Sequence, residues 1–451
     1  MEEKRYLKWN NKLGYGIGDV AANCSYGLVT SFVLIYLTNT VGLNAGIVGT
    51  LIMVSKLLDG VSDIIFGMII DRTKTKMGKA RPWMFGSQFG VSITMVMLFA
   101  IPDMGVNMQY VYFFITYTLM NVIFYTASNI AYSSLTSLTT KNANERVQLG
   151  SIRFIFSLLT NLVVASVTVG LVEQFGGGAK GWKTVAVIFA VAALIINTIS
   201  VLSIRELPQE ELIGEKADAQ EKVSLVKGIK ILVKNKFYLM ILAIYVLYYG
   251  MMGVTQTVGI YYMTYVFEQP SLLGTFTLAT LLPMIIVLAV TPALVKKKGM
   301  YKIINLGYDG AIIFRGLFMV FAFMANKGLM LITLLLNGFC TGPLVGSLNA
   351  LISESSDYTY RTQNKRLDGM MFSCSSFGIK VGGGIGTAAA GWLLAAGGFD
   401  GQAAVQTAAA VNMIKVSYAV VPFIVVILMK GIVKMLKVEK ANKDWDAEHL
   451  V

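Results

Sequence analysis

Residues 44–70 read NAGIVGTLIMVSKLLDGVSDIIFGMII and decide the fold. The run exceeds the roughly 20 apolar residues that a membrane-spanning helix needs, yet it contains two carboxylates, Asp59 and Asp63. In a helix this spacing puts both on one face, about 5–6 Å apart at the Cβ atoms. Like charges in hydrocarbon are costly unless a proton, an opposing lysine or a bound cation relieves them. The stretch therefore predicts a membrane helix that carries a functional site.

The whole chain has a membrane composition. Of its residues 55% are hydrophobic and 14% are charged, and its mean hydropathy is +0.64. Apolar runs of spanning length predict an all-α polytopic protein with about twelve transmembrane helices. Their limits are 13–39, 44–70, 83–102, 107–138, 150–173, 183–204, 237–267, 271–295, 303–325, 329–353, 369–396 and 409–436.

The net charge is +13, and the distribution of the basic residues along the chain is explained by membrane topology. Basic residues cluster after the second, eighth, tenth and twelfth runs, whereas the connection 38–44 is neutral. The clusters are Lys74, Lys76, Lys79 and Arg81; Lys296, Lys297, Lys298 and Lys302; Arg361, Lys365 and Arg366; and Lys430, Lys434 and Lys437. This positive-inside bias places both termini and the central loop in the cytoplasm. We expect a multi-pass protein of the bacterial inner membrane with no nucleic-acid partner.

The longest polar stretch divides the chain into two sets of six runs. We predict a six-helix bundle over residues 1–204, a cytoplasmic loop over 205–236, a second six-helix bundle over 237–436 and a cytoplasmic tail over 437–451. The charged N-terminus precedes no cleavage-site pattern, so the first run is expected to be a retained span. A monomer in contact with membrane lipid is expected.

Two polar stripes follow helical spacing. Asp19, Asn23 and Tyr26 share one face of the first run, and Asn121, Tyr125, Asn129 and Tyr132 recur along the fourth. Amides, a carboxylate and aromatic faces suit the hydroxyls and C–H face of a polyol. The alternatives are that Asp19 caps a helix and that the asparagines bond neighbouring helices.

Lys380 lies midway along the eleventh run, after Ser373 and Ser376 on the same face, with no acidic neighbour on its own helix. A buried unpaired lysine is expensive, so its partner should come from another helix. Asp59 and Asp63 are the best candidates. Arg153 could snorkel to the interface or pair inward with a carboxylate, and the sequence leaves both open. Asp309 and Arg315 could each pair across helices, and Arg315 could instead meet an anionic ligand; a structural pair is the favoured interpretation.

Residues 71–83 read DRTKTKMGKARPW and join two runs. Such a turn is usually a solvated loop, but Asp71 and Arg72 could also form ionic contacts that break during gating. Catalysis by a metal cluster or a Ser/His/Asp arrangement is not expected, because His449 in the tail is the only histidine. Cys24, Cys340 and Cys374 fit neither a zinc site nor a disulfide framework.

Several motifs together resemble the glycoside–pentoside–hexuronide:cation symporters, the melibiose permease branch of the major facilitator superfamily. The resemblance covers nearly the whole chain. It is carried by Gly14-Tyr15-Gly16-Ile17-Gly18-Asp19, Asp59-Gly-Val-Ser-Asp63, Asp71-Arg72-Thr73, Gly78 to Trp83, Asn129-Ile-Ala-Tyr132, Glu145-Arg146, Ser151-Ile-Arg153-Phe154, Asp357-Tyr358 and Lys380.

The resemblance implies the major facilitator fold and a cation site beside a sugar site in one central cavity. Cation-binding residues would be Asp59, Asp63, Ser62 and Thr126, holding Na⁺, Li⁺ or H⁺, with no other cofactor or metal. Substrate-binding residues would be Asp19, Asn23, Tyr26, Tyr125, Asn129, Arg153, Ser376 and Lys380. Gating residues would be Asp71, Arg72 and Asp357.

Three positions depart from the pattern. Asn129 stands where melibiose permeases carry a second sugar-binding aspartate, and Ser133 stands where they have tryptophan. An asparagine donates as well as accepts, so galactoside recognition is not implied. Ser62 replaces the asparagine frequent in Na⁺-using members, which weakens the case for Na⁺ over H⁺.

The resulting hypothesis is a secondary transporter that imports a galactoside, xyloside, glucuronide or related sugar by cation symport. One alternative is a lysolipid or drug carrier of the same fold, but the polar stripes favour a polyol over an acyl chain. A polytopic membrane enzyme would need an acidic or metal-binding cluster at an interfacial loop, and the loops here are basic.

Overall fold

The computed structural model describes residues 5–208, 225–363, 368–403 and 405–449. The regular secondary structure of the described chain is helical, apart from one isolated β-bridge between Thr75 and Gly78. In the N-terminal half (residues 9–203) the helices are α1 Trp9–Gly16, α2 Gly18–Ile35, α3 Ala45–Arg72, α4 Arg81–Leu98, α5 Val106–Thr118, α6 Thr126–Leu138, α7 Ala143–Gln174 and α8 Gly178–Ser203.

The C-terminal half (residues 225–449) repeats the pattern of long helices. They are α9 Leu225–Lys234, α10 Lys236–Tyr265, α11 Leu272–Lys298, α12 Met300–Phe323, α13 Lys327–Gln363, α14 Asp368–Ala396, α15 Ala408–Lys415, α16 Val421–Met435 and α17 Val438–His449. Helix α9 lies in the predicted central loop and α17 in the predicted tail. Both of those segments were expected to lack spans, and neither helix is long enough to be one.

Ten helical segments of the described chain are long and apolar enough to cross a membrane. Helices α3 and α4 occupy the predicted second and third runs, but they are not among these ten. Helix α3 nevertheless exposes Val61, Ile65 and Met68 along one side. Its opposite side buries Asp59 and Ser62. That division is expected of a helix with one face toward lipid and one toward a polar interior.

Local sequence sets where these helices begin. Asn44 starts α3 by accepting hydrogen bonds from the backbone N–H groups of Gly46 and Ile47, at 2.9 and 3.2 Å. Asn142 starts α7 and Asn235 starts α10 in the same way. Asparagine is a favoured residue at this position because its side-chain oxygen satisfies the first free N–H groups.

Three spans contain a π-helical turn, at Tyr36–Val41, Leu119–Tyr125 and Val416–Val420. Such turns interrupt the α-helical phase and occur frequently at functional sites. The second turn joins α5 to α6 and ends one residue before Thr126. It therefore sets the direction in which Tyr125 and Thr126 point.

The two halves meet mainly through α3 and α14, with further contacts between α7 and α11 and between α2 and α10. The α3–α14 packing is very close. A Cβ atom at Gly391 would lie 2.4 Å from the carbonyl oxygen of Ala45, so only glycine fits there. This seam brings the acidic face of α3 against the helix that carries Lys380.

Candidate functional site

An acidic pair and a lysine join the two halves of the molecule. The Nζ atom of Lys380 on α14 lies 2.6 Å from Oδ1 of Asp63 and 3.0 Å from Oδ1 of Asp59, both on α3. Asp59 is 3% exposed, and Asp63 and Lys380 are half-buried. The contact expected between Lys380 and these carboxylates is therefore present. One ammonium offsets two carboxylates, so the cluster keeps an excess negative charge when all three groups are ionised.

Two hydroxyl groups surround Asp59. The Thr126 hydroxyl on α6 donates to its Oδ1 atom, and the Ser62 hydroxyl donates to its backbone carbonyl oxygen at 2.9 Å. Thr126 thus contacts the carboxylate directly, whereas Ser62 bonds within its own helix. Carboxylate and hydroxyl oxygens are the ligands that hard cations prefer.

A second lysine, Lys56, was not among the predicted site residues. It lies one turn before Asp59 on α3 and is 6% exposed. Its Nζ atom donates to the Tyr26 hydroxyl at 2.7 Å and lies 4.5 Å from the centroid of the same ring. The sequence signal was its spacing of three residues from Asp59, which predicts a shared helix face.

Asp19 forms the centre of a second charged cluster. The Arg153 Nε atom on α7 lies 2.8 Å from Oδ2 of Asp19 on α2. The Tyr132 hydroxyl is 3.4 Å from the same oxygen, and the Arg153 guanidinium lies 4.0 Å from the centre of the Tyr132 ring. Of the two fates that the sequence left open for Arg153, the structure shows inward pairing. Asp19 is consequently part of an ion pair between helices.

Aromatic and amide side chains lie beside this ion pair. The rings of Tyr26 and Tyr125 stack, with centroids 4.7 Å apart and planes at 16°. The Asn161 amide donates to Asn23 Oδ1 at 2.9 Å. The stacked pair offers the kind of flat surface on which the C–H face of a sugar packs.

Most of the remaining predicted site residues are more exposed than those of the two charged clusters. Asn129 is half-buried, and Ser376, Arg72 and Asp357 are exposed. The side chain of Asp71 lies outside the described part of the structure. At the end of the molecule that carries Arg72 and Asp357, one of the ion pairs that the structure describes is Arg361 with Asp446, at 2.7 Å. It joins α13 to α17 within one half.

The end of the molecule opposite the basic connections is held by contacts that cross between the halves. The hydroxyls of Thr38 and Tyr261 are 2.9 Å apart, and the Asn39 amide donates to the Tyr265 hydroxyl. Gln402 donates to the carbonyl oxygen of Asn39 at 2.9 Å. These uncharged residues were not singled out by the sequence. They join the two halves at this end.

Asp309 and Arg315, for which structural pairs were predicted, differ from each other. Asp309 pairs with Lys430 across helices at 2.8 Å, as expected for a structural pair. Arg315 is 4% exposed and lies near the Phe318 ring, but it has no carboxylate partner among the described residues. Its Nε atom finds no hydrogen-bond acceptor in the described chain. The expected ion pair of Arg315 is therefore absent from the part of the chain that the structure describes.

Comparison with known proteins identifies the family of this chain. Residues 14–440 match the family described as MFS/sugar transport protein. The chain belongs to this family. It is a transporter and not an enzyme, and it is a multi-pass protein of the bacterial inner membrane. At the level of the family its function is cation-coupled sugar symport.

Three similar proteins span almost its whole length. The isoprimeverose transporter of Lactiplantibacillus pentosus is 29% identical over 93% of this chain and 87% of its own. The Escherichia coli (strain K12) protein YagG, provisionally named a glycoside/cation symporter, is 30% identical over 96% and 92%. The glucuronide carrier protein homolog of the same organism is 26% identical over 92% and 90%.

Solved structures share the fold of this transporter. A mutant form of the nucleoside transporter NupG has a TM-score of 0.67 at 13% identity, covering 94% of this chain and 99% of its own. A bacterial homolog of the human lysosomal transporter Spinster has a TM-score of 0.66 at 11% identity, covering 97% and 96%. At such low identity these likenesses establish the helical architecture alone.

Proposed function

We propose that this transporter imports a glycoside together with Na⁺, Li⁺ or H⁺ by alternating access. The observation that carries the proposal is the acidic pair on α3 bridged by Lys380 on α14. Its members come from opposite halves, so its geometry changes whenever the halves move. The ten spans found by composition, together with α3 and α4, support a twelve-span topology, and the basic connections support a cytoplasmic location for both termini.

The coupling cation would act at Asp59 and Asp63. The described residues contain no group of three or more His, Cys, Asp or Glu side chains that could hold a metal ion. A monovalent ion would instead use the two carboxylates with the Thr126 hydroxyl, and a proton would neutralise one carboxylate. Either cation competes with the Lys380 ammonium, which lies between the same oxygens. Cation binding therefore loosens the bridge between the halves.

The sugar would bind beside the Asp19–Arg153 pair and the stacked Tyr26 and Tyr125 rings. Asp19 accepts from hydroxyls, Arg153 donates to them, and Asn23 and Asn129 can do both. Ser376 and Lys380 would approach from the other half. Such a charged and amide-rich lining is suited to a hydroxylated ligand and would leave an acyl chain facing desolvated polar groups.

Alternating access explains the asymmetry of the two ends. The end that carries the Thr38–Tyr261 contact is closed, and by the basic connections it faces away from the cytoplasm. We therefore assign the structure to the inward-facing side of the cycle. Asp71, Arg72 and Asp357 remain our candidates for the gate on the cytoplasmic side, where they would make contacts in the outward-facing state.

Uptake into proteoliposomes tests the proposal. Labelled isoprimeverose, galactosides, xylosides and glucuronides are supplied under an imposed Na⁺ gradient, an imposed H⁺ gradient or neither. We expect one class of glycoside to accumulate under one gradient, and an ionophore that collapses the gradient to abolish accumulation. Asp309→Asn is the matched control, because Asp309 is paired with Lys430 outside the site and its loss should leave accumulation intact. Accumulation of no glycoside under either gradient would contradict the proposal.

A further inference from the structure

Arg315 on α12 is a buried positive charge that the described side chains leave uncompensated. The residue is 4% exposed, its Nε atom has no hydrogen-bond acceptor, and no described carboxylate pairs with it. An arginine stays protonated inside a protein, so it cannot avoid the cost of burial by releasing a proton. A buried charge without a partner is strongly destabilising. A group other than the described side chains must therefore balance the charge of Arg315.

A small cavity lies beside Arg315 in the interior of the C-terminal half. Helices α10, α12, α13 and α16 enclose it, and its lining includes Tyr248, Tyr308, Ala311 and Thr341. The cavity offers about 10 Å³ to the centre of a water-sized sphere. That is close to the space that a single water molecule requires. The cavity can therefore hold one particle of about the size of a water molecule.

Two donors without partners belong to this region. Tyr308 lines the cavity, and its buried hydroxyl has no hydrogen-bond partner among the described residues. Arg315 follows Ala311 by one turn on the same face of α12, and long side chains of a helix lean toward its N-terminal end, which here is the direction of the cavity. Arg315 is also within electrostatic reach of Tyr248. The cavity therefore combines a positive charge with hydroxyl donors, and its lining contains no carboxylate.

We propose that this cavity binds a halide, chloride in the cell, between the Arg315 guanidinium and the Tyr308 hydroxyl. A water molecule could accept from both donors but would leave the charge unbalanced, whereas an anion does both. The volume excludes phosphate and the carboxylate of a sugar acid, and the flexible side chains of Met251 and Met429 in the lining can adjust to an ion slightly larger than water.

The position of the site determines the role of the ion. All four enclosing helices belong to the C-terminal half, so the site keeps its shape when the two halves move relative to each other. Chloride is therefore a resident ion that stabilises this half, and it is not transported with the substrate. The inference does not depend on which substrate the transporter carries.

The test is thermal melting of the purified transporter without sugar. Sodium chloride is exchanged for sodium gluconate at constant Na⁺ concentration and ionic strength, so that the anion alone changes. A ligand that binds the folded state raises the melting temperature. We expect chloride to raise it by at least about 2 °C in a saturable way. Bromide should replace chloride, and binding of radiolabelled chloride should saturate and be displaced by bromide.

Three variants locate the ion. Arg315→Met removes the charge, so the chloride-dependent shift should vanish, and in gluconate the variant should melt at or above the temperature of wild type because no uncompensated charge is buried. Tyr308→Phe keeps the ring but removes the hydroxyl, and it should raise the chloride concentration for a half-maximal shift about tenfold or more. Arg361→Met is the matched control, because Arg361 is paired with Asp446 away from the cavity, and it should keep the full chloride-dependent shift.

Each contrary outcome has a definite meaning. Equal melting of wild type in chloride and in gluconate overturns the proposal, and the cavity then holds water alone. A chloride-dependent shift that survives in Arg315→Met places the ion elsewhere and also overturns it. If Arg315→Met fails to fold, Tyr308→Phe decides, and an unchanged chloride dependence in that variant rejects the site. Because the test contains no sugar, its failure leaves the proposed transport of a glycoside standing.

Discussion

The two charged clusters at the centre of this transporter have similar contacts but different positions in the fold. The Lys380 contacts with Asp59 and Asp63 measure 3.0 and 2.6 Å, and the Arg153–Asp19 contact measures 2.8 Å. The basic side chains of both clusters are about one-fifth exposed. The first cluster joins α3 to α14 across the halves, whereas the second joins α2 to α7 within one half.

This difference assigns each cluster a part in transport. A bridge between two moving bodies breaks or forms as they rearrange, so a ligand that competes for it biases the conformational equilibrium. An ion pair within one body keeps its geometry throughout the cycle and can hold a substrate in place. We therefore propose, from their positions in the fold, that the first cluster is the coupling site and the second the binding site, although their contact distances are alike.

The largest expected effect is loss of coupling on neutralising the bridge between the halves. Asp63→Asn removes one of the carboxylates that makes cation binding favourable at low dielectric. We expect gradient-driven accumulation of sugar to fall more than about tenfold, while sugar binding persists because the Asp19 cluster is untouched. Proteoliposome uptake and calorimetric titration measure the two properties separately. Normal accumulation at normal expression would show that the coupling cation does not bind at this site.

Removal of Asp19 should have the next largest effect, and it should fall on the sugar. Loss of a carboxylate that accepts sugar hydroxyls costs about 1–3 kcal/mol, or roughly ten- to hundredfold in affinity. Asp19→Ala should lose glycoside binding yet keep cation binding at the α3 pair, as titration of each ligand would show.

The structure adds a control that Asp19→Ala requires. Removal of Asp19 leaves the Arg153 guanidinium without its partner, and breaking a buried pair in this way destabilises a protein strongly. Asp19→Ala combined with Arg153→Met should recover thermal stability but not sugar binding. Normal sugar affinity in either variant would show that Asp19 is only structural.

A smaller but more specific effect should appear in double-mutant cycles. Lys380→Ala and Asp59→Asn affect one bridge, so their effects on uptake should be non-additive by about 0.5–3 kcal/mol. Lys380→Ala with Arg153→Met combines the two clusters, and their interaction energy should be smaller than in the first cycle, because the two side chains belong to different ion pairs and can influence each other only through the shared sugar. Strict additivity in the first cycle would mean that Lys380 and Asp59 do not interact in the membrane.

The sequence predicts these sites only where a buried charge must have a partner of opposite charge. Lys380 has no acidic neighbour on its own helix, since Asp368 lies at the start of that helix, and so the acidic pair on α3 could be named. Arg153 could not be placed, because a long side chain near a helix end has two ways to satisfy its charge. Lys56 was not assigned to a site although it lies three residues before Asp59, because its hydrogen-bond partner is a neutral phenol on another helix.

The same limit applies to predicting the fold from the sequence. Spans were found because hydrocarbon requires long apolar helices. The π-helical turn before Thr126 has no comparable signature in the sequence, although it directs Tyr125 and Thr126 to different sites. The closed end of the molecule was also missed, since Thr38 and Asn39 carry no charge and contact residues more than 200 positions away.

The smallest expected effect on transport concerns a fourth carboxylate, Glu145, which lies outside both clusters and before the span of α7. It is buried, and it accepts from the Thr140 hydroxyl at 2.7 Å and from the backbone N–H groups of Leu7 and Tyr6 at 3.1 and 3.2 Å. Lys12 lies 3.2 Å away. Burial alone would raise the pKa of Glu145, but these donors outweigh it and hold the pKa below its usual value.

A depressed pKa fixes the sign of the pH dependence. Glu145 binds fewer protons in the folded state, so its stabilising effect is complete above the ordinary carboxyl pKa and is lost as the pH falls through the folded-state pKa. Glu145→Gln should lower stability by about 1.5–3 kcal/mol near neutral pH, because hydrogen bonds to a charged acceptor are lost. That deficit should shrink in acid, where wild type loses the same contribution.

Sugar affinity and its dependence on the cation should stay within about twofold of wild type, since no group of either cluster is changed. Thermal melting of both proteins across the acidic range measures the first effect, and titration measures the second. A variant that melts normally yet loses coupling would show that the N-terminal segment takes part in transport, and the division into a coupling site and a binding site would then be incomplete.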